Sequence, residues 1–150
     1  MWASTTPAAI AGLVDVLRRD PDLTATTVFD GPQATGWSGT EAITVGYTDE
    51  ETSHSVDGSV IGEGLALSPT REQYTIQCAI WVLNGSADIT AARERAYAVL
   101  AVVGGALTSD QTLGGAVAAA RLAAVALQQE QTQQGAVASI FFGVEVDTYT

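Results

Sequence analysis

"GGAVAAARLAAVALQQEQTQQGAVASIFFGVEV", residues Gly114 to Val146, carries two patterns at once. Nine alanines between Ala116 and Ala138 favour a helix, because alanine loses the least conformational entropy there. Both outer parts also alternate. Val117, Ala119, Arg121, Ala123, Val125 and Leu127 lie two apart, as do Ala136, Ala138, Ile140, Phe142, Val144 and Val146. A helix over 114–134 brings Arg121 and Val125 together but spreads apolar side chains all round, with no polar face before Gln128. The rival is a β-hairpin, two alternating runs joined by the polar turn "QQEQTQQG" (Gln128–Gly135). The residues alone leave both readings standing, and the choice sets the fold.

Upstream the punctuation is clearer. "STTPAAIAGLVDVLRRD" (Ser4–Asp20) predicts a helix: Ser4, Thr5 or Thr6 can cap it, and Pro7 suits its first turn. Ile10, Leu13, Val14 and Leu17 form one apolar stripe, and Arg18 and Arg19 sit at the negative end of the dipole. "TATTVFDGP" (Thr24–Pro32) and "EAITVGY" (Glu41–Tyr47) predict strands. Residues 48–69 are polar and glycine-rich and predict a long mobile loop or arm, with a short strand near Val60–Leu67. "REQYTIQCAIWVLNG" (Arg71–Gly85) alternates over its whole length. Tyr74, Ile76, Cys78, Ile80 and Val82 share one face, while Thr75, Gln77, Ala79, Trp81 and Leu83 share the other. A strand with both faces partly apolar belongs inside a sheet. "SADITAARERAYAVLAVVGGALTSD" (Ser86–Asp110) returns to helical spacing, with Ser86 or Asp88 as cap and Gly104–Gly105 expected to fray or end it.

The totals bound the function classes. At 150 residues the chain fits one domain, 1–150, which buries roughly two-thirds of its unfolded surface. It has 17 carboxylates, six arginines and no lysine, for a net charge of −11. Such a chain is a poor partner for phosphate backbones or anionic membranes. One cysteine, Cys78, excludes an internal disulfide and a thiolate zinc cluster. No signal-peptide pattern and no apolar run of membrane-spanning length occurs, so the chain is expected to be made and assembled in the cytoplasm.

A search for reaction chemistry finds little. "TLGGAV" (Thr112–Val117) lacks the lysine and spacing of a phosphate loop and predicts a tight turn. His54 is the only histidine and lies in the polar loop, so no two-histidine metal site can form. Mid-strand Cys78 reads as a small hydrophobe, not a nucleophile. Asp88, Glu94 and Asp110 read as caps and solvated charges. The expectation is a protein that is not an enzyme and takes no cofactor or metal.

The order of these elements resembles the tail terminator proteins of long-tailed bacteriophages. The residues that carry the resemblance are "IAGLVDVLRRD", "VFDGP", "EAITVG", "REQYTIQCAIWV", "ARERAYAVL", "SDQTLGGAV" and "QQGAVASIFFGVEV". They span most of the chain outside 48–69. In that family the segment after the second helix is β, which decides the opening question for the hairpin. The resemblance implies an α+β subunit, with two helices on one face of a mostly antiparallel sheet and a C-terminal β-hairpin. It further implies a ring of six copies that caps the head-proximal end of the tail tube of a virion. Its partners would be itself, the major tail tube protein and the head–tail connector, and DNA would pass through without specific binding. Strong acidity suits such a passage, because it repels phosphate.

Three further expectations concern contacts. Asp49, Glu50 and Glu51 in "TDEET" are candidates for a lumen or tip loop, although a solvated acidic turn accounts for them as well. Arg121 sits among alanines on an apolar strand face, where it needs a carboxylate partner, a subunit boundary, or an edge at which to snorkel. Trp81 and the Phe141–Phe142 pair place large apolar groups on both sheet faces. Helices can cover only one of them, so the other is expected to meet a neighbouring subunit, the tube or the connector. The alternatives are a head-side neck protein of the same connector and, from another class, a small cytoplasmic ligand-binding or regulatory domain.

Overall fold

The computed structural model of the chain describes residues 2–48, 54–62 and 70–150. The order is α1 (Thr6–Arg19), a 3-10 turn (Pro21–Leu23), β1 (Thr27–Asp30), β2 (Glu41–Val45), β3 (Val56–Gly62), β4 (Thr70–Asn84), α2 (Ile89–Ser109), β5 (Ala119–Thr132) and β6 (Gly135–Tyr149). The strands form one sheet in the order β1-β2-β4-β6-β5, with β3 pairing the first half of β4 beyond β2's reach. Among the described residues only the β1–β2 pair is parallel. The fold is α+β.

Gly114–Val146 is therefore a turn followed by a hairpin. The turn holds Leu113, Gly114 and Gly115 at φ of 52°, 73° and 90°. That left-handed run suits the two glycines and cannot start a helix. β5 and β6 then pair up to Thr132↔Gly135, so the polar turn tightens to Gln133–Gln134. The even set of β6 behaves as its alternation predicts: Ala136, Ala138, Ile140, Phe142, Val144 and Val146 are all buried. The odd set of β5 does not stay on one face. A bulge between Ala123 and Val125, with Ala124 at φ 52°, shifts the register by one residue. Ala119, Arg121 and Ala123 lie on one face of the sheet, and Val125 and Leu127 on the other.

β4 and β6 form the central pair, in unbroken register from Arg71↔Tyr149 to Asn84↔Ala136. Their even residues face both helices. Ala9, Leu13, Val14 and Leu17 of α1 and Ala92, Ala96, Val99, Val103 and Leu107 of α2 complete a single core with Ile76, Cys78, Ile80, Ile140 and Val144. Asp88 caps α2, accepting from Ala91 N–H at 3.1 Å. Gly104 and Gly105 do not end that helix. Buried Val103 and Leu107 hold the turn between them, and tertiary packing outweighs the cost of about 1 kcal/mol per glycine.

One expectation needs correction and a second needs refinement. The described part of 48–69 contains a strand, β3, which starts at Val56 and so lies earlier than Val60–Leu67. It is mostly exposed and does not alternate, so no periodic signal marks it; it exists because β4 extends beyond β2 and offers backbone partners. The first helix has Thr5 at its N-cap, as expected, but the Thr5 side chain makes no cap hydrogen bond. Ser4 Oγ accepts from Thr6 N–H at 3.1 Å, and Glu72 of β4, only 3% exposed, binds the N-cap residue itself. Thr5 N–H donates to its Oε1 at 2.7 Å, Thr5 Oγ1 donates at 2.8 Å, and Ser4 Oγ donates to Oε2 at 2.6 Å.

Candidate functional site

Among the described residues two helices cover one face of the sheet and leave the other open, and of the residues expected to make contacts Trp81, Arg121 and Phe141 lie on it. It divides into two halves. Around the β2 end lie Trp81 and Phe141, both half-buried, beside Ala79 and Leu83. The connection between parallel strands β1 and β2 crosses here. Its Trp37 ring packs edge-on to Phe29 at 5.3 Å between centroids and to Trp81 at 5.8 Å. Gly39 is required in this loop, since a Cβ there would run into the Trp37 ring. A cavity of about 250 Å³ remains beside it, walled by Pro32, Thr44, Tyr47, Trp81, Ser139 and Phe141. The face is thus partly roofed by the chain's own loop. The signal for this was a tryptophan set among glycines in "ATGWSGT", and the sequence reading passed over it.

The other half is polar. Arg71 grips Asp147 with two hydrogen bonds, Nε to Oδ1 at 3.0 Å and Nη2 to Oδ2 at 2.7 Å, and Gln73 adds a third at 3.3 Å. The Arg71 hydrogen bond is the main reason the Asp147 carboxyl lies below its usual range. Arg121 Nε meets Glu145 Oε2 at 2.9 Å, directly across the β5–β6 pair. Gln73, Arg121, Glu145 and Asp147, with Asp57 and Thr75, line an open cavity of about 500 Å³.

The contact candidates separate accordingly. Trp81 and Phe141 lie on the open face. Phe142 does not: it is 2% exposed beneath the helices, so it is a core residue and not an interface residue. Its neighbour in sequence takes the opposite face because side chains alternate along a strand. Arg121 has its carboxylate within the chain, and its side chain is 79% exposed. Asp49, Glu50 and Glu51 lie outside the described residues.

The remaining reactive groups fit the bland readings. Cys78 is fully buried, and burial pushes its thiol up to about 12. His54 is exposed. The glycine turn after α2 offers its N–H groups to the chain itself: Asp110 accepts from Thr112 N–H at 3.1 Å, Thr112 Oγ1 at 2.7 Å and Gly114 N–H at 2.8 Å. Those bonds hold the Asp110 carboxyl below its ordinary value. Glu41 receives Arg95 at 2.6 and 3.1 Å and Thr26 Oγ1 at 3.1 Å, tying α2 to β2. Among the described residues no three His, Cys, Asp or Glu side chains are grouped to hold a metal. No helix among them is long and apolar enough to cross a membrane.

No protein-family model matches the sequence, and no curated protein matches it. Among solved structures, a chain of the "Virion of native gene transfer agent (GTA) particle" superposes with a TM-score of 0.48 at 10% identity, covering 99% of this chain and 100% of that one. Similarity at that level carries no inference about role.

Proposed function

We propose that this protein is a structural virion subunit, a tail terminator that closes the head-proximal end of a phage tail tube and receives the head connector. It acts by assembly and not by catalysis. The observation that carries the reading is the open sheet face: both helices pack on one side, and Trp81, Phe141 and Trp37 on the other form a half-covered aromatic surface that a neighbouring protein can bury. The order of sequence segments shared with the terminator family supports the same role. In this reading six copies form the ring. One side of the ring repeats the contacts that tube subunits make with each other, and the opposite side offers no template for another tube layer. Growth stops there. A charge of −11 per copy keeps the wall from holding the passing genome.

The test is electron microscopy of a lysate from a phage deleted for this gene alone. Full heads beside detached tails of uncontrolled length are the expected result. Uniform, full-length tails without heads would move the protein to the head-side neck, and normal particles would overturn the virion reading.

A further inference from the structure

We propose that two copies of this chain pair edge to edge through β5, antiparallel, about a two-fold axis at Ala126. β5 ends the sheet, and its outer edge has no strand partner among the described residues. Natural edge strands are blunted by charge, proline or shortness. β5 is 14 residues long, contains no proline, and carries no charge between Arg121 and Glu130, in a chain whose net charge is −11. It also displays Val125, which is 46% exposed.

The second copy is singled out because the edge is complementary to itself. With the bulged residue Ala124 set aside, antiparallel pairing about Ala126 places Arg121 opposite Glu130 of the second copy. Leu122 then meets Gln129, Ala123 meets Gln128, and Val125 meets Leu127. Every pair shares a face. Arg121, Ala123, Ala126, Gln128 and Glu130 stand opposite Glu145, Gly143, Phe141, Ser139 and Val137 of the open face. Leu122, Val125, Leu127 and Gln129 stand opposite Val144, Phe142, Ile140 and Ala138 of the helix face. Positions 121 and 130 differ in parity, so an unbulged strand would point the two charges to opposite faces. The bulge brings them onto one face.

Both charges have capacity to spare. Arg121 binds Glu145 through Nε alone, leaving its terminal nitrogens for a second carboxylate. Glu130 is exposed, and its side chain makes no hydrogen bond or ion pair among the described residues. Symmetry doubles each contact, giving two ion pairs and two Val125–Leu127 contacts. Such an isologous contact closes at two copies. It uses the edge and leaves the open face free; being two-fold, it is a contact of the free chain and not one around the six-copy ring, so it does not depend on the tail reading.

Crosslinking of the full chain tests it. Residues directly opposed in an antiparallel pair have Cα atoms about 4.5–5.5 Å apart, within disulfide reach. Ala126→Cys is therefore expected to give a covalent dimer under mild oxidation. Gln128→Cys, offset from its own copy, is expected to stay monomeric on the same non-reducing gel. Fully buried Cys78 contributes no background. Equal crosslinking of both variants, or of neither, would overturn the proposal. In sedimentation, Glu130→Arg should raise the dimer dissociation constant about tenfold, as for two cross-strand charge pairs turned repulsive, and the exchange R121E/E130R should restore it. A wild-type chain monomeric at every concentration, or a dimer indifferent to Glu130→Arg, would also refute it. All these substitutions are at exposed positions, so an unchanged melting temperature separates lost pairing from lost folding.

Discussion

Glu72→Gln isolates the carboxylate that anchors the N-cap of α1. The amide keeps the volume but leaves one acceptor oxygen for the three donors that now converge on Glu72. A hydrogen bond to a charged acceptor contributes about 1.5–3 kcal/mol, and a helix cap about 1 kcal/mol. Desolvation of the carboxylate opposes these gains, so the expected loss is about 2–3 kcal/mol, or a melting temperature lower by about 4–12 °C for a chain of this size. Burial pushes the Glu72 carboxyl up, but the hydrogen bonds from Ser4 and Thr5 outweigh it and leave the group below its ordinary value of 4.5. A depressed carboxyl stabilises the fold above its unfolded value and loses that contribution as pH falls through the folded one. The gap between wild type and Glu72→Gln should thus be full at pH 7 and narrow below pH 4.5. Urea unfolding at pH 7 and pH 3, away from the solubility minimum near the pI of 4.1, measures both. A variant within about 0.5 kcal/mol of wild type at pH 7, or a gap that widens in acid, would refute the capping argument.

Gly12→Ala improves helix propensity by about 1 kcal/mol, yet a Cβ at this position would collide with the Leu113 carbonyl oxygen, so thermal melts should show net destabilisation. Cys78 should resist thiol reagents at pH 8 in the native protein, where burial holds its thiol near 12, and react with one equivalent after denaturation. Arg121→Ala should change monomer stability by less than about 1 kcal/mol in urea titrations, because its ion pair is exposed. Glu41→Ala strips the partner from Arg95 and from Thr26, and should cost about 1–2 kcal/mol in the same assay, since Arg95 is partly solvated.

The alternation of Ile140, Phe142, Val144 and Val146, and of Ile76, Cys78 and Ile80, made the central strands legible from sequence, because period two maps directly onto the two faces of a sheet. The apolar stripes of both helices were legible because spacings of three and four residues fall on one side of a 3.6-residue turn. What failed was whatever depends on a partner distant in the chain. β3 has no pattern of its own and is written in the overhang of β4. The bulge at Ala124 leaves no trace among six alanines and valines, yet it divides the odd positions of β5 between two faces. The carboxylate that anchors the N-cap of α1 sits 67 residues downstream of Thr5. At the candidate site, alternation separates Phe141 from Phe142 but does not say which face the helices cover, so the sequence leaves the open-face position of Trp81 and Phe141 unassigned, and the loop carrying Trp37 meets Trp81 only through tertiary packing.

The position of β6 has a consequence for how the chain acquires its structure. The central partner of the sheet is Gly135–Tyr149, so β4 has no neighbour on that side until those residues have left the ribosome. The β5–β6 hairpin is local and can close in microseconds, whereas joining it to β4 must enclose α2 and all of β5, a loop of about 50 residues with a corresponding entropic barrier. Until then the parts of β4 and α2 that pack against β6 are uncovered. Docking of the hairpin onto β4 is therefore expected to complete the core, and the nascent chain is expected to be most aggregation-prone just before that step.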